Sequence, residues 1–134
     1  MENIGNLKAG AYVIGDPCYM LRGTLWDKIL KEHNCFSREG KFTVKDTKNK
    51  AHDIAVYSTG GDGGHFGTDD FEYGVDSGSL AAIPCAFAAQ GDCLGPLQMG
   101  LRFCKVTYFA EDFACYSNKD YIAFGDLVIE KIWS

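Results

Sequence analysis

The chain has 134 residues, of which 46% are apolar and 23% charged, and it carries a net charge of −5. These values are typical of a globular protein with a single domain, residues 1–134, and argue against a disordered chain. The acidic balance argues against nucleic acid as a partner, because phosphate binding requires a basic surface.

Location and redox state follow from the apolar runs and the cysteines. No apolar run approaches the roughly 20 residues that span a membrane, and residues 1–4 lack the basic and apolar parts of a signal peptide. We therefore expect a cytoplasmic protein with no membrane partner. The six cysteines form no Cys-x-x-Cys pair, which favours buried free thiols over disulfides or structural zinc.

The first elements in chain order are a strand and a helix. Residues 11–15 predict a strand that Asp16 and Pro17 stop, because proline donates no backbone hydrogen bond and restricts the residue before it. The main helix is predicted over about residues 24–34. Its apolar stripe has helical spacing and consists of Leu25, Trp26, Ile29 and Leu30.

Short strands make up most of the remaining chain. Alternation or apolar runs predict them near residues 42–44, 54–56, 71–75, 80–83, 103–109 and 127–133. Residues 113–116 and 121–124 predict a hairpin across a polar turn. The expected fold class is α+β: a mostly antiparallel sheet that curls around one main helix, or packs as a sandwich.

Aspartate recurs beside glycine in the predicted turns, at Asp16, Asp62, Asp76 and Asp126. Aspartate caps backbone N–H groups and glycine tolerates positive φ, so a structural role in turns accounts for each one taken singly. If the strand ends converge, their carboxylates form one rim that can bind a cation or the hydroxyls of a ligand. The predicted ligand-binding residues of this rim are Asp16, Cys18, Tyr19, Asp62, His65, Asp76, Ser77 and Asp126, with Tyr19 and Tyr57 as aromatic walls.

The loop at residues 60–65 has four glycines, which favours a close approach to a ligand. It matches neither a phosphate-binding P-loop nor a dinucleotide motif. His65, Asp69 and Asp70 have the donor types of a metal site, but a polar hairpin tip is the favoured interpretation, and no metal is predicted. No cofactor is indicated by the sequence.

Two segments of the chain look alike. Residues 12–16 and 122–126 are each an apolar strand that ends in Gly-Asp. Their similarity predicts that both strands turn in the same way.

Asp76, Ser77 and Gly78 form the Asp-Ser-Gly triplet of aspartic peptidases, in which two aspartates share a proton and activate water. The chain resembles retroviral proteases here and, loosely, at residues 124–127. It departs from them because Tyr73 and Gly74 replace apolar strand residues and the triplet lies past the middle of the chain. A hydrolase that uses a carboxylate pair or a metal is therefore the alternative function, beside a purely structural or interaction protein.

Several short motifs occur in a characteristic order: residues 15–19 (Gly-Asp-Pro-Cys-Tyr), Trp26, residues 61–63, residues 75–78 and residues 125–127. This order resembles uncharacterised proteins common in bacterial and phage genomes, and the similarity spans residues 12–129. The resemblance implies shared turns at the four aspartates and no particular activity. The leading hypothesis is a small accessory domain that binds a polar ligand or an ion.

Overall fold

The computed structural model describes residues 5–21, 23–33, 38–46, 48–88 and 103–131, and for residues 23–25 it describes the backbone only. The elements in chain order are β1 (Gly5–Leu7), β2 (Gly10–Gly15), α1 (Pro17–Met20), α2 (Gly23–His33), β3 (Gly40–Lys45), β4 (Ala51–Ser58), β5 (Gly63–Phe66), β6 (Glu72–Val75), β7 (Ser79–Pro84), α3 (Cys85–Ala88), β8 (Lys105–Phe109), β9 (Phe113–Ser117), β10 (Tyr121–Phe124) and β11 (Leu127–Glu130).

The described strands form three sheets. A five-stranded sheet has the order β3-β4-β7-β2-β8, a four-stranded sheet has the order β1-β9-β10-β11, and β5 pairs with β6. Every pairing is antiparallel. The prediction of a mostly antiparallel, β-rich chain is confirmed, and so is the β9–β10 hairpin. A single main helix is not clearly shown, because three helical segments are described, of which α2 is the longest.

The two faces of the five-stranded sheet pack into different core clusters. Successive side chains of a strand point to opposite faces, so Tyr12 and Ile14 of β2 join one cluster whereas Val13 joins the other. The first cluster also takes side chains from the four-stranded sheet, among them Phe124. The second holds helical residues, among them Trp26. The sheet is therefore covered by strands on one side and by helices on the other.

The described part of the predicted apolar stripe of α2 faces the second cluster, whereas the side chain of Leu25 lies outside the described residues. Trp26 is 4% exposed and Ile29 is 2% exposed, and Leu30 packs against the same cluster while partly buried. These three residues of the stripe are therefore part of the core. Among the described residues, no helix is long and apolar enough to cross a membrane.

Strand β2 ends where the sequence predicts, and the residue after it starts a helical turn. Asp16 is the N-cap of α1: its backbone is extended, and its side chain accepts a hydrogen bond from the Cys18 backbone N–H. Pro17 occupies the first turn, where its missing N–H leaves no hydrogen bond unmade. Met20 and Leu21 are fully buried and anchor the end of this turn. The cap thus holds Cys18 and Tyr19 at a fixed corner of the fold.

The second Gly-Asp segment turns differently, so the expectation that both strands turn in the same way is wrong. Gly125 has φ +61° and, with Asp126, forms a two-residue turn between β10 and β11, in which Phe124 pairs with Leu127. No helix starts there. The two segments share their apolar strands and not their turns.

The β5–β6 hairpin lies beside β11. Gly67 forms an isolated antiparallel bridge with Ile129. Nδ1 of His65, which is 2% exposed, lies 2.8 Å from the carbonyl oxygen of Glu130. These contacts fix the position of the glycine-rich start of β5.

Candidate functional site

The Asp16 carboxylate joins two turns that are distant in the sequence. Its Oδ1 accepts hydrogen bonds from the Cys18 N–H at 2.9 Å and from the Ser77 hydroxyl at 2.6 Å. Its Oδ2 accepts from the backbone N–H groups of Asp76 and Ser77, both at 2.7 Å. The predicted turns at residues 16–19 and 76–78 therefore meet at one corner of the molecule.

This carboxylate is fully buried, and both of its oxygens are engaged. Hydrogen bonds to an ionised acceptor are short and strong, so the contacts fix α1 firmly against the turn before β7. Asp16 thus positions the surrounding residues, and its oxygens are directed at the protein's own donors.

The Cys104 thiol lies directly against the same corner. A Cβ on Gly15 would lie 2.7 Å from Cys104 Sγ, so only glycine fits there without displacement. Burial, followed by the charge of Asp16, raises the pKa of Cys104 to about 12, although the Asp16 backbone N–H donates to the sulfur. The close approach of Cys104 places the adjacent Phe103 beside α1.

Cys18 is held as a neutral thiol. Burial raises its pKa, and the charge of Asp16, a hydrogen bond to the Asp16 carboxylate, and the charge of Asp76 raise it further. The thiolate is the nucleophilic form of cysteine. Cys18 is therefore a poor nucleophile at neutral pH and is suited to donating a hydrogen bond.

Beside this corner is a concave site of about 410 Å³, which we call the Tyr19 cleft. It is lined by Tyr19, Gly63, Gly64, Glu72, Gly74, Val75 and Phe103. The rings of Tyr19 and Phe103 stack with their centroids 5.0 Å apart and their planes at 25°. Both aromatic residues are half-buried, so part of each remains accessible from the cleft.

Glycines allow the close packing of this cleft. A Cβ on Gly74 would lie 2.5 Å from the Phe103 ring, and a Cβ on Gly64 would collide with the Glu72 carboxylate. Both glycines lie in paired strands, where β5 and β6 place them opposite one another. This cross-strand pair leaves the wall of the cleft free of side chains, so that the Phe103 ring and the Glu72 carboxylate can approach it.

Among the described residues that line the cleft, Glu72 is the charged one, and it is exposed. Asp76, also exposed, lies near enough for its charge to act on Tyr19. Burial raises the pKa of Tyr19, and the neighbouring Cys18, Asp76 and Asp16 raise it further. Tyr19 therefore stays a neutral phenol in an acidic setting.

Other predicted site residues lie at the margin of this arrangement or outside it. Asp62 is exposed and directly precedes Gly63 of the cleft wall. His65 lies on β5, and its side chain contacts the backbone carbonyl oxygen of Glu130 on β11. Asp126 is exposed and lines a different cleft, together with Phe109 and Tyr116 among others.

Tyr57 does not form the predicted aromatic wall. It is fully buried, and its hydroxyl donates to the carbonyl oxygen of Cys115 at 2.9 Å. Burial raises its pKa. Tyr57 belongs to the core, and Phe103 is the aromatic residue that stacks beside Tyr19 instead.

The donors near His65 do not converge on a common point. Asp69 accepts hydrogen bonds from the Tyr73 hydroxyl at 2.7 Å and from the Phe71 N–H, and pairs with Lys105 at 3.2 Å. Burial raises the pKa of Asp69, but these partners outweigh it and leave the pKa below its usual range. Within the part of the chain that the structure describes, no three His, Cys, Asp or Glu side chains are grouped to hold a metal ion.

Glu72, Gly74 and Phe103 are the site residues that the sequence interpretation missed. Gly74 carried a usable signal, because a glycine within a strand often marks a close approach of another group. Phe103 carried none, since its place beside Tyr19 depends on long-range packing.

Comparison with protein-family models, curated proteins and solved structures finds no match to this chain. The resemblance to uncharacterised bacterial and phage proteins stays a prediction. The function must therefore be inferred from the geometry of the site.

Proposed function

We propose that this chain is a binding domain for a small polar ligand that occupies the Tyr19 cleft. The observation that carries this proposal is that the buried Asp16 carboxylate ties α1 to residues 76–77 beside a concave, aromatic-walled site. Ligand sites are typically concave and largely preformed, with few polar groups directed into them. A rigid corner also lowers the entropy lost when a ligand is bound.

The roles within the cleft follow from its lining. Tyr19 and Phe103 supply a flat apolar surface, and the glycines of β5 and β6 let the Phe103 ring and the Glu72 carboxylate pack against the backbone that lines the cleft. Glu72 and the nearby Asp76 accept hydrogen bonds at the rim. Asp16, Cys18 and Ser77 hold this arrangement from beneath.

The same geometry does not favour a hydrolase that uses Asp16 as its base or Ser77 as its nucleophile. A general base needs an oxygen that is available to a substrate proton, whereas the oxygens of Asp16 already accept four hydrogen bonds within the protein. Ser77 donates its hydroxyl to this carboxylate, with no histidine in the contact. A binding role uses these contacts as they stand.

A purely structural or interaction role has weaker support. Among the described residues, the exposed large apolar side chains are Phe66, Val106 and Tyr108. Val106 and Tyr108 lie two residues apart on β8 and face the same side. Two side chains make a smaller surface than the extended apolar patch expected of a partner interface.

Two wider inferences accompany this function. We infer that the five- and four-stranded sheets pack face to face as a sandwich, because the first core cluster takes side chains from both. We also infer a cytoplasmic location, since Cys18, Cys85, Cys104 and Cys115 are free thiols, which a reducing compartment maintains.

Ligand binding can be mapped by ¹⁵N NMR during titration with a panel of aromatic and carbohydrate fragments. We expect the amide shifts to concentrate at Tyr19, Gly64 and Gly74, and Tyr19→Ala to weaken binding roughly tenfold or more by removing the stacked ring. Tyr108→Ala is the matched control, because this tyrosine is 72% exposed and lies outside the cleft. Shifts that map elsewhere, or equal losses in the two variants, would refute the proposed site.

A further inference from the structure

We propose that the ligand of the Tyr19 cleft is an organic cation with a flat apolar group, such as an amidinium or an aromatic ammonium ion. This inference rests on the function proposed above and specifies the ligand class. It draws on three features of the cleft: its aromatic surface, the sign of its charge and the absence of a side chain on the facing glycines.

The aromatic surface suits a flat cation. The stacked Tyr19 and Phe103 rings lie nearly parallel and are half-buried. A ring face carries partial negative charge and attracts cations, more strongly where water is partly excluded. Because Tyr19 keeps its proton, its ring also offers a hydroxyl beside this face.

The described acidic side chains at the cleft both carry negative charge. Glu72 lines it, and Asp76 acts on Tyr19 from nearby. Lys105, which lies near the hairpin, is engaged with Asp69 at 3.2 Å and does not line the cleft. A carboxylate or phosphate ligand would meet the Glu72 charge there, with no compensating cation among the described residues that line the cleft.

Gly64 determines where the negative charge of Glu72 lies in the cleft, and so where a ligand's positive charge would bind. A Cβ on Gly64 would occupy the space now taken by the Glu72 carboxylate. With glycine at this position, the Glu72 carboxylate can lie against β5 where both residues line the cleft. A cation stacked on Tyr19 is therefore within reach of a charged acceptor as well as the ring face.

Benzamidinium, benzamide and benzoate test this inference, because they share a shape and differ in charge. Dissociation constants are measured by NMR titration at low salt. We expect benzamidinium to bind roughly tenfold more tightly than benzamide, through the ring face and one exposed carboxylate. Benzoate should bind more weakly than either. Added salt should narrow these differences.

Variants locate the source of the preference. Glu72→Gln should reduce the advantage of benzamidinium over benzamide about threefold or more, because it removes the charge that distinguishes the two ligands. Glu111→Gln is the matched control, because it removes one exposed carboxylate that lines a different cleft. Thermal unfolding of each variant establishes that it is folded.

The outcomes separate the two claims. If benzamidinium and benzamide bind equally at the Tyr19 cleft, the cation preference is wrong and the binding site stands. If none of the three probes binds, and the fragment panel also leaves the cleft amides unshifted, the proposed function fails. A preference that Glu72→Gln does not reduce would overturn the assigned charge contact.

Discussion

Asp16 and Asp126 each follow a glycine at the end of an apolar strand, yet their carboxylates lie in opposite environments. Asp16 is fully buried and accepts hydrogen bonds from three backbone N–H groups and one hydroxyl. Asp126 is exposed, and it is the backbone carbonyl of this residue that Thr68 contacts, at 3.5 Å. One aspartate organises a corner of the fold, whereas the other lies on a turn.

The residue that follows each aspartate accounts for the difference. Pro17 is suited to the first position of a helix, which makes Asp16 an N-cap and directs its side chain inward. Leu127 continues as a buried residue of β11, which leaves Gly125 and Asp126 as a two-residue turn with glycine at positive φ, as in a type II′ turn. A Gly-Asp pair therefore does not determine the type of turn by itself, because the turn also depends on the residue that follows.

The largest expected effect is the stability difference between Asp16→Asn and Asp126→Asn. The asparagine side chain keeps one acceptor oxygen, but its NH₂ group replaces the other. Two of the donors that now form hydrogen bonds to Asp16 would then face N–H groups. Each buried donor left unsatisfied costs about 1–3 kcal/mol, so the free energy of unfolding should fall by about 2–5 kcal/mol. Asp126→Asn should change it by less than about 0.5 kcal/mol, because that side chain is exposed.

Urea unfolding of both variants, followed by circular dichroism, measures this difference. Asp62→Asn is a further control at an exposed turn, with the same small expected effect. Equal losses at positions 16 and 126 would break the contrast between the two corners.

Much of the fold was predictable because the signals are local. The strand before Asp16, the α2 stripe and the β9–β10 hairpin depend on periodicity and turn residues over a few positions. The division into three sheets was not predictable, because the pairing of β2 with β7 and β8 joins segments far apart in the chain.

The second contrast concerns Gly15 and Gly125, the glycines that precede the two aspartates, because each position requires glycine for a different reason. Gly15→Ala places a methyl group 2.7 Å from Cys104 Sγ, so overpacking should cost about 1–3 kcal/mol. Gly125→Ala must adopt φ +61°, which should cost about 1–2 kcal/mol through backbone strain.

Rescue variants distinguish these causes by urea unfolding. In a Cys104→Ala background, the cost of Gly15→Ala should fall, because the sulfur is gone, although the Cβ of residue 104 remains 3.0 Å away. Gly125→Asn should be milder than Gly125→Ala, since asparagine tolerates the left-handed region. If Cys104→Ala leaves the cost of Gly15→Ala unchanged, close packing is not the reason for that glycine.

The candidate site was less predictable than the fold. The sequence identified Asp16, Cys18, Tyr19, Asp76 and Ser77 as one rim, and the structure brings them together. It did not identify Glu72 or Phe103, since neither lies in a turn motif. Asp126 was grouped with the rim because it shares a local pattern with Asp16, and local pattern carries no information on three-dimensional distance.

The smallest expected effect is a change in the reactivity of Cys18 when one nearby negative charge, that of Asp76, is removed. Asp76→Asn keeps the backbone N–H that Asp16 accepts and removes one charge that raises the pKa of Cys18. The pKa of Cys18 should therefore fall, and its thiolate fraction at pH 8 should rise. Iodoacetamide labelling of Cys18, followed by mass spectrometry, should become roughly two- to threefold faster, because the thiolate is the reactive form.

Asp126→Asn should leave this rate unchanged. Cys115 is the internal control, since burial alone raises its pKa to about 12. A rate increase at both cysteines would indicate a general loosening of the fold, whereas an unchanged rate at Cys18 would show that the Asp76 carboxylate lies away from the Asp16 corner.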